Sequence, residues 1–323
     1  MFDSTASKPI HLQIVNWIFV LTILANLSGL CCFVFLEDSA NYASIAKQMA
    51  VSHNYQDLFF QGNEWLDKPH FQFWLSALSF KVFGINTFAY KFPAILLTFL
   101  GAFYTYRLAK DLYNQAIARI SVLVLLTALH LVVSNNDIRA EAYLIGLIMG
   151  CMYHFYRLKN QFSWKHLLLG AFFGACALMT KGIFALIPIA AALGGEMLLK
   201  GEWKQLLQWR CLLAIFFLFL FTIPELYALY EQFDKHPEKI IFGKTGVSGI
   251  RFFFWDSQFG RFFNTGPIKG AGEPTFFLHT LLWAFLPWSL VFYVAFFKTI
   301  REIVKKNTKK EFYTLTASLV TLL

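Results

Sequence analysis

The sequence predicts an all-α protein, a polytopic bundle of transmembrane helices with short juxtamembrane helices at its outer face. Three observations predict it. Hydrophobic residues make up 57% of the 323-residue chain and charged residues 15%, against roughly 45–50% and about 25% in soluble domains. Long apolar runs recur, and the first, the charge-free His11 to Leu36, exceeds the roughly 20 residues that cross hydrocarbon. The charged residues fall in short clusters between these runs.

Breaking the chain at those clusters places spans near 11–36, 88–107, 117–134, 141–157, 166–180, 183–199, 211–230 and 276–297. The first run is too long for a signal-peptide core, and no convincing small-residue cleavage site follows it, so it counts as a span. A ninth run begins near Phe312 and reaches only Leu323. It is too short to cross, so the reading expects a truncated carboxy terminus. No repeat or soluble domain is evident, and residues 1–323 read as one transmembrane domain.

Orientation follows from the basic residues. Arg107, Lys110 and Arg119, then Arg157, Lys159 and Lys165, then Lys200, Lys204 and Arg210 occupy alternate connections, and Lys298, Arg301, Lys305, Lys306, Lys309 and Lys310 follow the eighth span. With a cytoplasmic amino terminus every cluster is cytoplasmic, as the positive-inside rule demands. The parity requires Phe71 to Gly84 to be an interfacial or re-entrant segment. The net charge of +9 is thus spent on topology, and nucleic acid is not an expected partner. The five cysteines lie inside apolar runs without paired or metal-ligand spacing. The eight histidines show no zinc-site spacing.

The outer side receives the loop 37–70, Ser134 to Glu141, Thr180-Lys181-Gly182 and the long loop 231–275. In the first, Tyr42, Ile45, Ala46 and Met49 have the i, i+3, i+4, i+7 spacing of a helix face. Helix Ala40–Met49 is therefore expected to lie in the outer interface. Asp38, beside Glu37 and Ser39, reads either as part of an N-cap or as a carboxylate that binds or deprotonates an acceptor group. Asp67-Lys68-Pro69 reads either as a headgroup anchor or as a point charge for a phosphate. Asp137 and Glu141 share a helix face around Arg139, where acids in a first turn also suit the helix dipole. Lys181-Gly182 is a tight turn whose lysine can reach a phosphate. The loop 231–275 holds Phe252 through Phe262 with Arg261, then Gly266, Gly270 and Gly272. An aromatic belt and a clamp for an anionic group both fit.

Together these pieces resemble the polytopic glycosyltransferases that use polyprenyl-phosphate sugars (the GT-C type), including protein O-mannosyltransferases and bacterial aminoarabinose transferases acting on lipid A. Four motifs in order carry the resemblance: Asp38-Ser39-Ala40-Asn41-Tyr42; Trp65-Leu66-Asp67-Lys68-Pro69 with Trp74; Lys181-Gly182 with Pro188; and Phe254-Trp255 through Arg261-Phe262, followed by Leu286-Pro287-Trp288. Three positions depart from the family pattern. Ser39 stands where Asp-Glu is usual, Glu141 (with Asp137 as rival) stands for the second acid, and Ser257-Gln258 replaces Glu-His. The resemblance implies a GT-C fold in the inner membrane, its active site facing the periplasm, and inverting transfer from a polyprenyl-phosphate sugar to a lipid, glycan or protein. It implies Asp38 and Glu141 as catalytic residues. It assigns the donor phosphate to Lys68, Lys181, Arg261 and Arg139, with Glu37, Tyr42, Asp67 and Asp137 secondary. No cofactor beyond the donor is expected, and a divalent metal is doubtful because its ligand is lost at Gln258. Two other readings stay open, a transporter or lipid flippase and an inactive subunit that binds sugar lipid.

Overall fold

The computed structural model describes residues 10–33, 35–270, 276–306 and 311–322. Gly272 and Pro274 of the long loop, and Lys309 and Lys310 of the last basic cluster, lie outside the described residues. The elements in order begin with α1 (Ile10–Leu27), α2 (Glu37–Ser52), a two-residue hairpin β1 (Phe59–Phe60) and β2 (Asn63–Glu64), and α3 (Phe71–Phe83). Helices α4 (Thr87–Leu112), α5 (Gln115–Thr127), α6 (Leu129–Asn136), α7 (Ala140–Asn160) and α8 (Trp164–Lys181) follow. Then come α9 (Ile187–Leu199), α10 (Trp209–Leu229) and α11 (Gly249–Arg251), which runs into π-helical turns at Phe252–Gly260. The chain ends with α12 (Phe276–Ala284), α13 (Ser289–Lys306) and α14 (Phe312–Leu322).

Local chemistry sets several boundaries. Asn86 and Asn114 cap α4 and α5, their side chains accepting from the backbone N–H of Ala89 and Ile117 at 2.8 and 3.0 Å. Helix α8 ends where Gly182 takes φ +82°, a conformation glycine adopts without strain. Helices α4, α7 and α8 form the centre of the bundle. Glycine lets α4 and α7 touch: a Cβ on Gly146 would sit 2.3 Å from the Leu97 carbonyl oxygen.

Two predicted spans are broken. The run 117–134 bends by 53° between α5 and α6, and Leu129 N–H donates to the Leu286 carbonyl while Trp288 Nε1 donates to Thr127 Oγ1. Those contacts come from the second broken span, 276–297, which divides into α12 and α13. The two breaks hold each other and satisfy polar groups that continuous helices would have satisfied internally. By length and apolarity two described helices qualify alone as spans, Thr87–Leu112 and the α10 continuation Trp209–Asp234, and the bent α5–α6 pair makes a third. The other expected spans are shorter or more polar. Large apolar side chains stand outward on α1 (Trp17, Leu21, Leu24) and α10 (Leu212, Ile215, Phe216, Ile223), a surface that calls for lipid.

Helix α2 starts at Glu37 rather than Ala40 and continues to Ser52. Its predicted face is buried as spaced: Tyr42, Ile45, Ala46 and Met49 are all in the core. That face packs on α3, with the Tyr42 and Phe73 rings edge to face at 5.8 Å, so protein covers it where the sequence suggested lipid. Each such large side chain contributes about 1.5–3 kcal/mol relative to exposure in water.

Candidate active site

The basic clusters and the outer motifs occupy opposite ends of the bundle. At the basic end Arg157 pairs with Asp111 at 3.1 Å, and Lys159 and Lys200 pair with Glu196 at 2.6 and 2.5 Å. These contacts join the carboxy-terminal ends of α4, α7 and α9. The amino-terminal ends of α4 and α7 and the carboxy-terminal end of α8 lie opposite, and there the candidate residues assemble.

Asp38 stands in the first turn of α2, with Leu36 at the N-cap and no side-chain cap bond. Ser39 is fully buried inside that turn and does not cap it. The capping reading of this motif is thus overturned, because Leu36, which has no side-chain acceptor, occupies the N-cap position; its own N–H donates to Asp137 Oδ1 at 2.9 Å. Asp38 is half exposed and receives Arg139 Nη1 at 3.2 Å, while Arg139 Nε donates to Asp137 Oδ2 at 3.0 Å. Arg139 therefore bridges a buried carboxylate and an open one. Asp137 is an anchor, and Asp38 is the carboxylate left within reach. Glu37, exposed at the start of α2, has no ion pair among the described residues.

Glu141 opens α7 and forms a short ion pair with Lys181 at the end of α8, each about two-fifths exposed. Tyr42 joins these motifs. Burial first, then the carboxylates of Asp38, Asp67 and Glu141, push its phenol above the ordinary tyrosine range, and Arg139 pulls the other way. Tyr42 is thus a neutral hydroxyl within electrostatic reach of acids from three separate motifs.

Lys68 is paired with the adjacent Asp67. Two residues before it, Leu66 is buried in a cluster with Leu178, Phe252 and Phe253, against which Ile183 packs. The second and fourth motifs therefore share one small core with the residues that flank the third. The π-helical segment closes on the lysine turn, where the Phe184 and Phe259 rings meet edge to face at 5.5 Å. A Cβ on Gly182 would lie 2.5 Å from Gln258 Nε2. Arg261 follows this segment and is exposed. Among the described residues no ion pair or side-chain hydrogen bond joins its guanidinium to the other candidates.

Two buried charges went unread as functional. Lys91 donates to the Cys32 and Asn136 carbonyls at 2.9 and 2.5 Å, tying the approach to α2 to the end of α6. Glu225 is fully buried beside His70. In both cases the signal in the sequence was a lone charge within an apolar run. Among the described residues no three His, Cys, Asp or Glu side chains converge as metal ligands. Gln258 offers a neutral amide and Asp67 is paired with Lys68. That donor set fits a divalent cation poorly.

A family model described as dolichyl-phosphate-mannose-protein mannosyltransferase matches residues 67–227. Undecaprenyl phosphate-alpha-4-amino-4-deoxy-L-arabinose arabinosyl transferase 2 of Pseudomonas fluorescens is 28% identical over 300 residues, which cover 90% of this chain and 51% of the relative. The corresponding transferase of Pseudomonas aeruginosa PAO1 is 26% identical over 268 residues, 79% of this chain and 45% of its own. The chain spans about half the length of these curated relatives. The crystal structure of apo ArnT from Cupriavidus metallidurans superposes with a TM-score of 0.75 at 16% identity, covering 97% of this chain and 55% of that one. The same protein bound to undecaprenyl phosphate gives 0.72 at 16% identity, covering 96% and 59%.

Proposed function

Starting from a chain related in sequence to polyprenyl-phosphate-sugar-dependent membrane glycosyltransferases and sharing their GT-C fold, we propose that it transfers a sugar, with inversion, from a polyprenyl-phosphate donor. The acceptor is a lipid, glycan or protein, and transfer takes place at the periplasmic face of the inner membrane. The observation that carries this reading is the set of ion pairs at one end of the bundle, Asp38 with Arg139, Asp67 with Lys68 and Glu141 with Lys181, which brings three of the sequence motifs together there. The site offers partly exposed charge of both signs at one end of a lipid-facing bundle.

In the proposed step an acceptor oxygen attacks the anomeric carbon opposite the phosphate. The new carbon–oxygen bond forms as the bond to the phosphate oxygen breaks, and polyprenyl phosphate leaves with the bonding pair. Asp38 takes the proton of an acceptor hydroxyl, as a general base within hydrogen-bond reach does. Charge grows on the leaving phosphate, so Lys68 and Lys181 stabilise the transition state more than the ground state. Each must release its carboxylate partner or share it with the donor. Glu141 and Arg139 orient the acceptor and Asp38. Arg261, exposed after the aromatic segment, serves as a second phosphate clamp once the donor is bound.

The sugar and acceptor of the aminoarabinose transferases are one case of this chemistry, and the relatives' names make it the first to try. The test is transfer of radiolabelled sugar from undecaprenyl-phosphate donors by the purified protein in liposomes, with lipid A and native membrane extract as acceptors. The expected result is a labelled product that disappears in Asp38→Asn. An Asp38→Asn protein as active as the parent would remove Asp38 from the mechanism. No product from any donor, from protein that is folded, would remove the transferase reading.

A further inference from the structure

Glu225 sits in α10 directly after Pro224, fully buried, and is the one charged residue of that helix after Arg210. A carboxylate so placed is costly unless every lone pair finds a donor. Here both oxygens face one residue: His70 backbone N–H donates to Oε2 at 3.0 Å, and His70 Nδ1 lies 3.0 Å from Oε1. The other ring nitrogen, Nε2, is 2.8 Å from the Gln56 carbonyl oxygen. A carbonyl only accepts, so Nε2 carries a proton and donates. One further proton lies between Nδ1 and Oε1, and the pair is satisfied whichever side holds it.

His70 is also where the lysine motif turns into helix. It occupies the N-cap position of α3, and its carbonyl accepts from the N–H groups of Phe73 and Trp74 at 2.8 and 2.9 Å. Lys68 is therefore held between two buried anchors, Leu66 two residues before it and His70 two residues after, with Pro69 stiffening the link. Gln56, on the loop that follows α2, ties the same pin to the helix that carries Asp38.

We propose that Glu225, acting through His70, is a positioning residue for Lys68: it fixes the backbone from which the ammonium reaches the donor phosphate. The proposal rests on the reading of Lys68 as a phosphate ligand given above. Glu225 touches neither substrate nor Lys68 itself, and its effect is geometric. An amide should therefore replace the carboxylate. In Glu225→Gln the new amide oxygen can accept the His70 backbone N–H while the amide nitrogen donates to Nδ1, leaving a neutral imidazole that still donates to Gln56.

The experiment measures the affinity of the full chain in nanodiscs for undecaprenyl phosphate, for Glu225→Gln, Glu225→Ala, Lys68→Ala and the Lys68→Ala/Glu225→Ala double variant. Thermal unfolding is followed in parallel. Lys68→Ala should weaken binding about thirtyfold and Glu225→Ala about tenfold, because misplacing a positioned group by about an ångström can cost up to about a hundredfold. Glu225→Gln should stay within about threefold of the parent, and Glu225→Ala should add less than about twofold in the Lys68→Ala background, the mark of two residues acting through one contact. Full additivity in the double variant overturns the proposal, and so does a folded Glu225→Ala with parental affinity. A Glu225→Gln as weak as Glu225→Ala also overturns it, because charge rather than geometry would then be at work. If Glu225→Ala does not fold, Glu225→Asp carries the test: the shortened carboxylate should weaken binding in the parent and not in Lys68→Ala, and equal weakening in both overturns the proposal. Unchanged affinity in Lys68→Ala is a different failure. It sinks the reading of Lys68 as a phosphate ligand, and the positioning role falls with it.

Discussion

Both ends of the bundle hold ion pairs, and Glu196 at one end and the Asp38 and Glu141 sites at the other use them in opposite ways. At the basic end Glu196 is 6% exposed between Lys159 and Lys200, and its two oxygens are fully taken up. At the other end Asp38, Arg139, Glu141 and Lys181 are 38–53% exposed while paired. The first arrangement joins α7 to α9 and leaves little for a ligand to bind. In the second, each charge keeps a solvent-facing side that a phosphate or hydroxyl can take. Exposed pairs add little to stability, typically about 0–1 kcal/mol, so holding four charges open at one end is better accounted for by ligands than by folding.

The sharpest way to break the comparison is at Asp38. Asp38→Asn removes the proposed base and keeps the shape, and if the proposed transfer takes place it should fall by about three orders of magnitude, within the range for a positioned base. The melting temperature should hardly move, because the side chain is half exposed. A large drop in melting temperature with residual activity would make Asp38 structural, like Glu196. Next in size is Lys68→Ala, for which kcat/KM toward the donor should fall about a hundredfold, as when one charge-stabilising group is lost. The partner change Glu141→Gln should cost about tenfold, because it frees Lys181 while removing one acceptor contact.

A smaller effect should separate the lysine turn from the lysine itself. Gly182 holds φ +82° and its α-carbon faces Gln258. Gly182→Ala adds backbone strain of about 1–3 kcal/mol and pushes the amide away. Lys181 should then be misplaced although its charge is intact, and turnover should drop severalfold at unchanged pH dependence. Full activity at lowered stability would show that the turn only closes the α8–α9 hairpin.

How legible all this was follows from the length of each signal. The apolar face of α2 was readable because four residues repeat at helical spacing and the partner surface did not matter. That the face meets α3 rather than lipid was not readable, because apolar side chains pack equally well on either. The breaks in the spans at 128 and 285–288 were hidden for a similar reason. Hydropathy averages over a run, and the contacts that stabilise both breaks join residues about 160 positions apart. Asp38, Lys68, Glu141 and Lys181 stand out because charge is rare in this chain. That rarity marks Lys91 and Glu225 as well. Each sits within a run that reads as a span, where a lone charge is costly and is kept for a purpose.

The smallest expected effect tests the closed end. In Glu196→Gln two ammonium groups share one amide oxygen, and Lys200, a quarter exposed, can turn toward water while Lys159 cannot. The protein should lose about 1–3 kcal/mol of stability, the cost of leaving a buried polar group underserved. Transfer kinetics measured well below the melting point should match the parent in both KM and kcat. A change in donor KM from Glu196→Gln would mean that the two ends communicate through α7, whose first turn carries Glu141 and whose last turn carries Lys159. In that case the basic end would be part of the catalytic apparatus rather than its foundation.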